Sequence, residues 1–212
     1  MSNKAVLITV VAVVTLLLAI GYVYDGQFSI GGDFTASATL DAGREVVYFQ
    51  QKDPQWKDYL WLGSSGCGTT SMAIVISTLT GSIVPPTVVA EWAYNEKLYS
   101  AAGSDQIMIA KAAKHWGLAC EGIGTDEELV RAALSDGKLV VALMGKGDFT
   151  SGGHYIVLRG LDADGNVYVA DPNSLARSNR VWGLDLVLKQ TKPPAADGLC
   201  WVISNNAEGF TL

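Results

Sequence analysis

From Ala5 to Tyr24 the chain carries twenty consecutive residues without a charge, almost all of them apolar. At about 1.5 Å per helical residue such a stretch spans a hydrocarbon core roughly 30 Å thick, which predicts an N-terminal transmembrane helix within residues 1–24. Lys4 precedes the stretch, while Asp25 and Asp33 follow it. That asymmetry puts the N-terminus in the cytoplasm and everything after it outside the cell membrane. The uninterrupted length exceeds the roughly 7–15 residues of a secretory signal, favouring a retained single-pass anchor. Cleavage at Ala19-Ile20-Gly21 or Ala36-Ser37-Ala38 would instead release a secreted form. Residues 25–44, rich in Gly, Ser, Ala, Thr and Asp, then read as a linker before a domain covering 45–212.

Within that domain the apolar pattern changes period. Glu45 to Phe49 predicts a short strand, and Asp53-Pro54-Gln55-Trp56 a turn. An apolar helix starts near Cys67 and runs past Leu79 to Gly81. Gly81 and Pro85-Pro86 end one element and start another, and Thr87 to Glu96 reads as a second helix, with proline favoured at the first positions. A third covers Ser104 to Trp116, and Thr125-Asp126-Glu127-Glu128 reads as a capping box for a fourth, ending near Ser135. Leu139 to Met144 has the length of a buried strand, and Cys200 to Ile203 is a last one. Between them, His154–Leu161 and Asn166–Asp171 flank Asp162-Ala163-Asp164-Gly165, whose Asp-Gly pair signals a hairpin. Helices first and an antiparallel sheet afterwards make the fold class α+β.

Charge removes one class of partner. The formal net charge is -6 and the lysines and arginines are scattered singly, so no cationic patch offers itself to nucleic acid. Three cysteines, Cys67, Cys120 and Cys200, leave an odd thiol in an oxidising exterior. Either Cys120 pairs with Cys200 and Cys67 stays free, or all are unpaired.

Cys67 is the candidate nucleophile. Gly63-Ser64-Ser65-Gly66 delivers it to a helix N-terminus, where unpaired N–H groups and the helix dipole favour thiolate. Downstream the chain has two histidines, His115 and His154. If the hairpin forms, His154 begins one strand and Asp171 ends its neighbour, a base and orienter of the kind a nucleophile needs. Asn173 is a substitute orienter. His115, beside Trp116, reads as a partly buried helix residue. No metal or cofactor is expected: Cys67, His154 and Asp171 lack CxxC or HxxxH spacing, and Asp162-x-Asp164-x-Asn166 lacks the calcium-loop glycine and glutamate positions. Gly145-Lys146-Gly147 does not follow phosphate-loop spacing. Aromatic residues at 56–61 and 92–99 are either core or a peptide grip.

The run Tyr48-Phe49-Gln50-Gln51, then Gly66-Cys67-Gly68-Thr69-Thr70-Ser71-Met72-Ala73, then Gly153-His154-Tyr155-Ile156-Val157-Leu158 and Val169-Ala170-Asp171-Pro172, resembles the C39-like branch of papain-like cysteine peptidases. The resemblance spans about residues 46–175. It implies a papain-like fold from a bacterium, with Cys67 as nucleophile, His154 as base, Asp171 as orienter and Gln51 as oxyanion donor. Gln50 and Gln55 are neighbouring candidates for that last role. In bacteriocin-exporter relatives the glutamine lies nearer the cysteine, and those relatives carry a transporter that this chain lacks, so their double-glycine leader substrate does not transfer. The implied function is hydrolysis of peptide bonds in a peptide or protein substrate outside the membrane. Acyl transfer to an amine or thiol on the same triad, or an inactive peptide- or cell-wall-binding module, are the alternatives.

Overall fold

The computed structural model describes residues 34–59, 61–192 and 199–205. The expected membrane helix at 5–24 lies outside the described residues, and no described helix is long and apolar enough to cross a membrane. After a short 3-10 turn at Pro54–Trp56, seven α-helices and eight strands follow along the described residues. They are α1 Leu62–Ser65, α2 Cys67–Thr80, α3 Pro86–Asn95, β1 Tyr99–Ser100, β2 Gly103–Ser104, α4 Ile107–His115, β3 Leu118–Gly122 and α5 Glu127–Ser135. Then come β4 Leu139–Met144, β5 His154–Leu161, β6 Val167–Ala170, α6 Leu175–Ser178, β7 Val181–Trp182, α7 Leu184–Lys189 and β8 Cys200–Asn205.

Six strands form one antiparallel sheet in the order β3-β8-β4-β5-β6-β7, so the last described strand lies between β3 and β4. β4 is apolar and buried at every position because both faces of the sheet are covered. Leu139, Val141 and Leu143 join one core with Met72, Ile76, Val89 and Met108 from the nucleophile side, while Val140, Ala142 and Met144 join a second core with Val130, Leu134, Leu184 and Val187. α2 is buried from Gly68 through Ser77, as an all-round apolar helix in the centre of a domain should be. Its buried Ser71 hydroxyl donates to the Tyr155 carbonyl at 3.2 Å, tying α2 to β5. The helix stops where Gly81 turns left-handed at φ 71 and returns its N–H to Ser77.

The hairpin forms where the sequence places it. Asp162 accepts from the N–H groups of Asp164 and Asn166 at 2.9 and 2.8 Å, and β5 pairs antiparallel with β6. Four local expectations differ. Glu45–Phe49 makes only an isolated bridge, Ala38 with Tyr48, and its Val47 N–H goes to the Thr78 hydroxyl instead of a strand partner. α4 starts at Ile107, since Gly103–Ser104 pairs with Tyr99–Ser100 as a separate hairpin. Asp126, not Thr125, caps α5, accepting from Glu128 and Leu129. Residues 34–44, the described part of the expected linker, lie on the domain through Phe34, Ala38 and Leu40.

The cysteines are all free. Cys120 packs with the core on the nucleophile side, whereas Cys200 belongs to the opposite core, so the sheet itself separates them.

Candidate active site

Presentation of Cys67 begins with Trp61, which adopts a left-handed conformation at φ 64 and starts the single turn of α1. Gly66 joins α1 to α2 where no side chain fits, since a Cβ there would stand 2.4 Å from the Leu62 carbonyl oxygen. Cys67 is therefore the first residue of α2, at the end of the helix that carries unpaired N–H groups. Gly68 is closely approached as well: a Cβ would lie 2.6 Å from the Ser104 hydroxyl. Burial works against a charged sulfur, but the hydrogen bond and charge of His154, with backbone hydrogen bonds at Tyr155 and Gly68, outweigh it and lower the Cys67 thiol from its ordinary 9.0.

His154 begins β5 and Asp171 directly follows β6, so the hairpin sets them side by side. His154 Nε2 lies 2.7 Å from Asp171 Oδ1, with both side chains buried. A carboxylate only accepts, so Nε2 carries the proton in this pair and Nδ1 is left for the sulfur. Burial tends to lower the imidazole, yet the hydrogen bonds and charges of Asp171 and Cys67 push it up to about 9. The arrangement favours a thiolate–imidazolium pair.

Asp171 is fully buried and completely engaged. Its Oδ1 also accepts from the Asn173 N–H at 2.8 Å, and Oδ2 accepts from Arg177 Nε at 2.5 Å. Burial alone would raise this carboxyl; the His154 hydrogen bond and charge, then Arg177, hold it below the ordinary 3.8. The backbone is fixed too, since the Asp171 N–H donates to the Ser178 hydroxyl at 2.8 Å and its carbonyl accepts from the Tyr48 hydroxyl at 2.7 Å. Burial pushes Tyr48 up to about 12, so it remains a donor. Asn173, the expected substitute orienter, contributes through its backbone. Arg177, Ser178 and Tyr48 were not found by sequence reasoning. Ser174, which caps α6 by accepting from Arg177 N–H, was the available local signal that the chain turns helically here and brings position 177 back to 171.

Of the three glutamines, Gln51 joins the two halves of the site. It is 4% exposed; its N–H bonds Pro172 at 2.7 Å, and its side-chain amide donates to Gly63 at 3.1 Å, four residues before Cys67. Its own carbonyl accepts from Trp56 Nε1 at 3.1 Å. Gln50 has its side chain on the Tyr48 hydroxyl, and Gln55 pins Thr35 and Asp53. His115 is exposed and stacked on Trp92 at 4.9 Å, away from the partly buried position expected for it. Among the described residues no group of three or more His, Cys, Asp or Glu side chains is arranged to hold a metal ion.

A family model described as Peptidase_C39 like family matches residues 44–192. Two solved structures are similar to the chain. One is a double glycine motif protease from an AMS/PCAT transporter in complex with the leader peptide, 20% identical, covering 79% of this chain and 98% of that one, with a TM-score of 0.51. The other is the peptidase domain of Streptococcus ComA, a bifunctional ABC transporter involved in quorum sensing, 21% identical, covering 68% and 93%, with a TM-score of 0.47. No curated protein matches the chain. At these identities the first likeness is one of fold, a mixed helical and antiparallel-sheet architecture, while the family match covers most of the described domain. The chain therefore belongs to the C39-like peptidase family.

Proposed function

We propose that the protein is an extracytoplasmic cysteine peptidase, tethered to the cell membrane by residues 5–24, that hydrolyses peptide bonds through an acyl-enzyme. The observation that carries this reading is the buried His154–Asp171 hydrogen bond at 2.7 Å, with the imidazole raised to about 9 and the Cys67 thiol lowered by the neighbouring imidazole. The apolar, uncharged stretch between Lys4 and Asp25 supports the tether.

In the first step the Cys67 thiolate attacks the carbonyl carbon and the carbonyl electrons move onto oxygen. The Gln51 amide and the Cys67 backbone N–H hold that oxyanion, a charge absent from the ground state. As the C–N bond breaks, the His154 imidazolium gives its proton to the leaving amine, producing a thioester. Neutral His154 then takes a proton from water, whose oxygen displaces the sulfur and releases a carboxylic acid. A peptide as substrate is in keeping with the leader-peptide complex of the fold neighbour.

The test is cleavage of a mixed peptide library, read by mass spectrometry, for the intact chain and Cys67→Ala. Products should appear only with Cys67 present, and iodoacetamide at pH 7 should label Cys67 well before Cys120 and Cys200, which burial raises to about 11 and about 12. Cleavage that survives Cys67→Ala, or equal labelling of the three thiols, overturns the proposal.

A further inference from the structure

At the segment that leads into Cys67 lies a cleft of about 390 Å³ walled by Tyr59, Trp61, Ala90, Glu91, Tyr94 and Tyr99. Its composition is unusual for a simple apolar slot. Four of the six lining residues are aromatic, one is a carboxylate, and among them no lysine or arginine supplies a cation. Trp61 and Tyr94 have ring centroids 5.8 Å apart at a tilted angle, and Trp61 and Tyr99 6.3 Å edge-on, so the three rings form one aromatic cluster. Tyr94 is 55% exposed and Tyr59 41%, so this aromatic surface is open to solvent instead of being closed into the core. Aromatic faces carry negative quadrupole charge and attract cations within about 6 Å of the ring centre, more strongly when water is displaced.

The cleft communicates with the thiol. Trp61 starts the turn that leads into Cys67, and its carbonyl accepts from the N–H and hydroxyl of Ser65, two residues before the sulfur. Tyr99 is buried beside Ser65; burial raises its phenol, the Ser65 hydroxyl works against that, and the nearby Cys67 charge adds to the rise. An occupant of the cleft thus sits against the same short segment that positions the nucleophile.

We propose that this cleft is a specificity subsite for a cationic side chain, lysine or arginine, of the peptide whose bond Cys67 attacks: the alkyl stem lies along Trp61, Tyr94 and Tyr99, and the charged head pairs with Glu91. A long side chain with an apolar stem and a cationic tip matches both properties of the lining, whereas a carboxylate-bearing side chain meets Glu91 and the ring faces with the wrong sign. The proposal rests on the peptidase reading and adds the substrate class to it.

Two measurements separate the two ideas. Peptides differing only by lysine, arginine, acetyl-lysine, norleucine or glutamate at each of four positions on either side of the cleaved bond are compared by kcat/KM. Binding of the same fluorescent peptides to the Cys67→Ala chain is compared by anisotropy. At one position lysine or arginine should exceed norleucine and acetyl-lysine by about tenfold in both readouts. Glu91→Gln and Tyr94→Ala should each bring that ratio close to one, with unchanged melting temperatures showing that the fold is intact. A ratio near one in the unmodified chain, a preference for norleucine, or a cationic preference that survives both substitutions overturns the subsite. Absence of turnover with cationic preference retained in binding overturns the peptidase reading and leaves the subsite standing.

Discussion

Replacing Asp171 by asparagine keeps the side chain's shape but gives three donors one oxygen to share. In the native protein His154 Nε2 and the Asn173 N–H converge on Oδ1, and Arg177 Nε bonds Oδ2. If the new amide oxygen faces His154, its NH2 group confronts the Arg177 guanidinium in a fully buried place, a cost of about 1–3 kcal/mol. If the amide turns, the imidazole must accept at Nε2 and carry its proton on Nδ1, the nitrogen left for Cys67, where it cannot act as a base. The charge is lost in either case. An imidazole held at about 9 instead of 6.5 reflects roughly 3 kcal/mol in favour of the imidazolium. Asp171 heads the hydrogen bonds and charges responsible, so its loss removes a large part of that preference and shifts the pair from thiolate–imidazolium toward neutral thiol and imidazole. Iodoacetamide alkylation of Cys67 measured from pH 5 to 9 reads this directly. The native thiol should react rapidly well below pH 9, and Asp171→Asn should move its profile up toward an ordinary thiol. Peptide turnover should drop further, on the order of 10³–10⁴-fold, because orientation and tautomer fail together with the charge. An unchanged alkylation profile with turnover within about threefold of native would refute the assignment of Asp171 as orienter.

Two further substitutions probe the surroundings of the thiol. Gly68→Ala places a methyl 2.6 Å from the Ser104 hydroxyl and 2.8 Å from its Cβ, and should destabilise by about 1–3 kcal/mol. A thermal melt should show a lower Tm that Ser104→Gly partly restores; an unaltered Tm would mean that the β1–β2 hairpin yields freely. Gln51→Ala should lower kcat by about 10²–10³-fold with KM little changed, provided a melt shows the chain folded. A kcat within about threefold of native would remove Gln51 from the oxyanion site.

The parts legible in the sequence are those fixed by neighbours along the chain. The Asp162–Gly165 turn sets the β5–β6 register, and with it the meeting of His154 and Asp171. The Gly66-Cys67 helix start and the Pro86 and Gly81 boundaries are likewise local. What sequence could not supply came from distant pairing. Nothing in Cys200–Asn205 marks it as the partner of both β3 and β4. The same pairing decides the thiols, because Cys120 stands opposite Ile203 and shares its core, three positions from Cys200 on the other face. Tyr48 reaches Asp171 across 123 positions, and the hydroxyl that takes the Val47 N–H from the expected strand at Glu45–Phe49 belongs to Thr78.

The placement of β8 also fixes when this domain can be finished. Among the described residues β3 pairs in the large sheet with β8 alone, a segment that leaves the ribosome about eighty residues later, so the part of the sheet carrying Leu118–Gly122 cannot assemble on a growing chain. Completion must wait until synthesis has passed Asn205. Until that strand arrives, the β8-facing edges of β3 and β4 stay open, and an unfinished chain offers both to a chaperone or to a second copy.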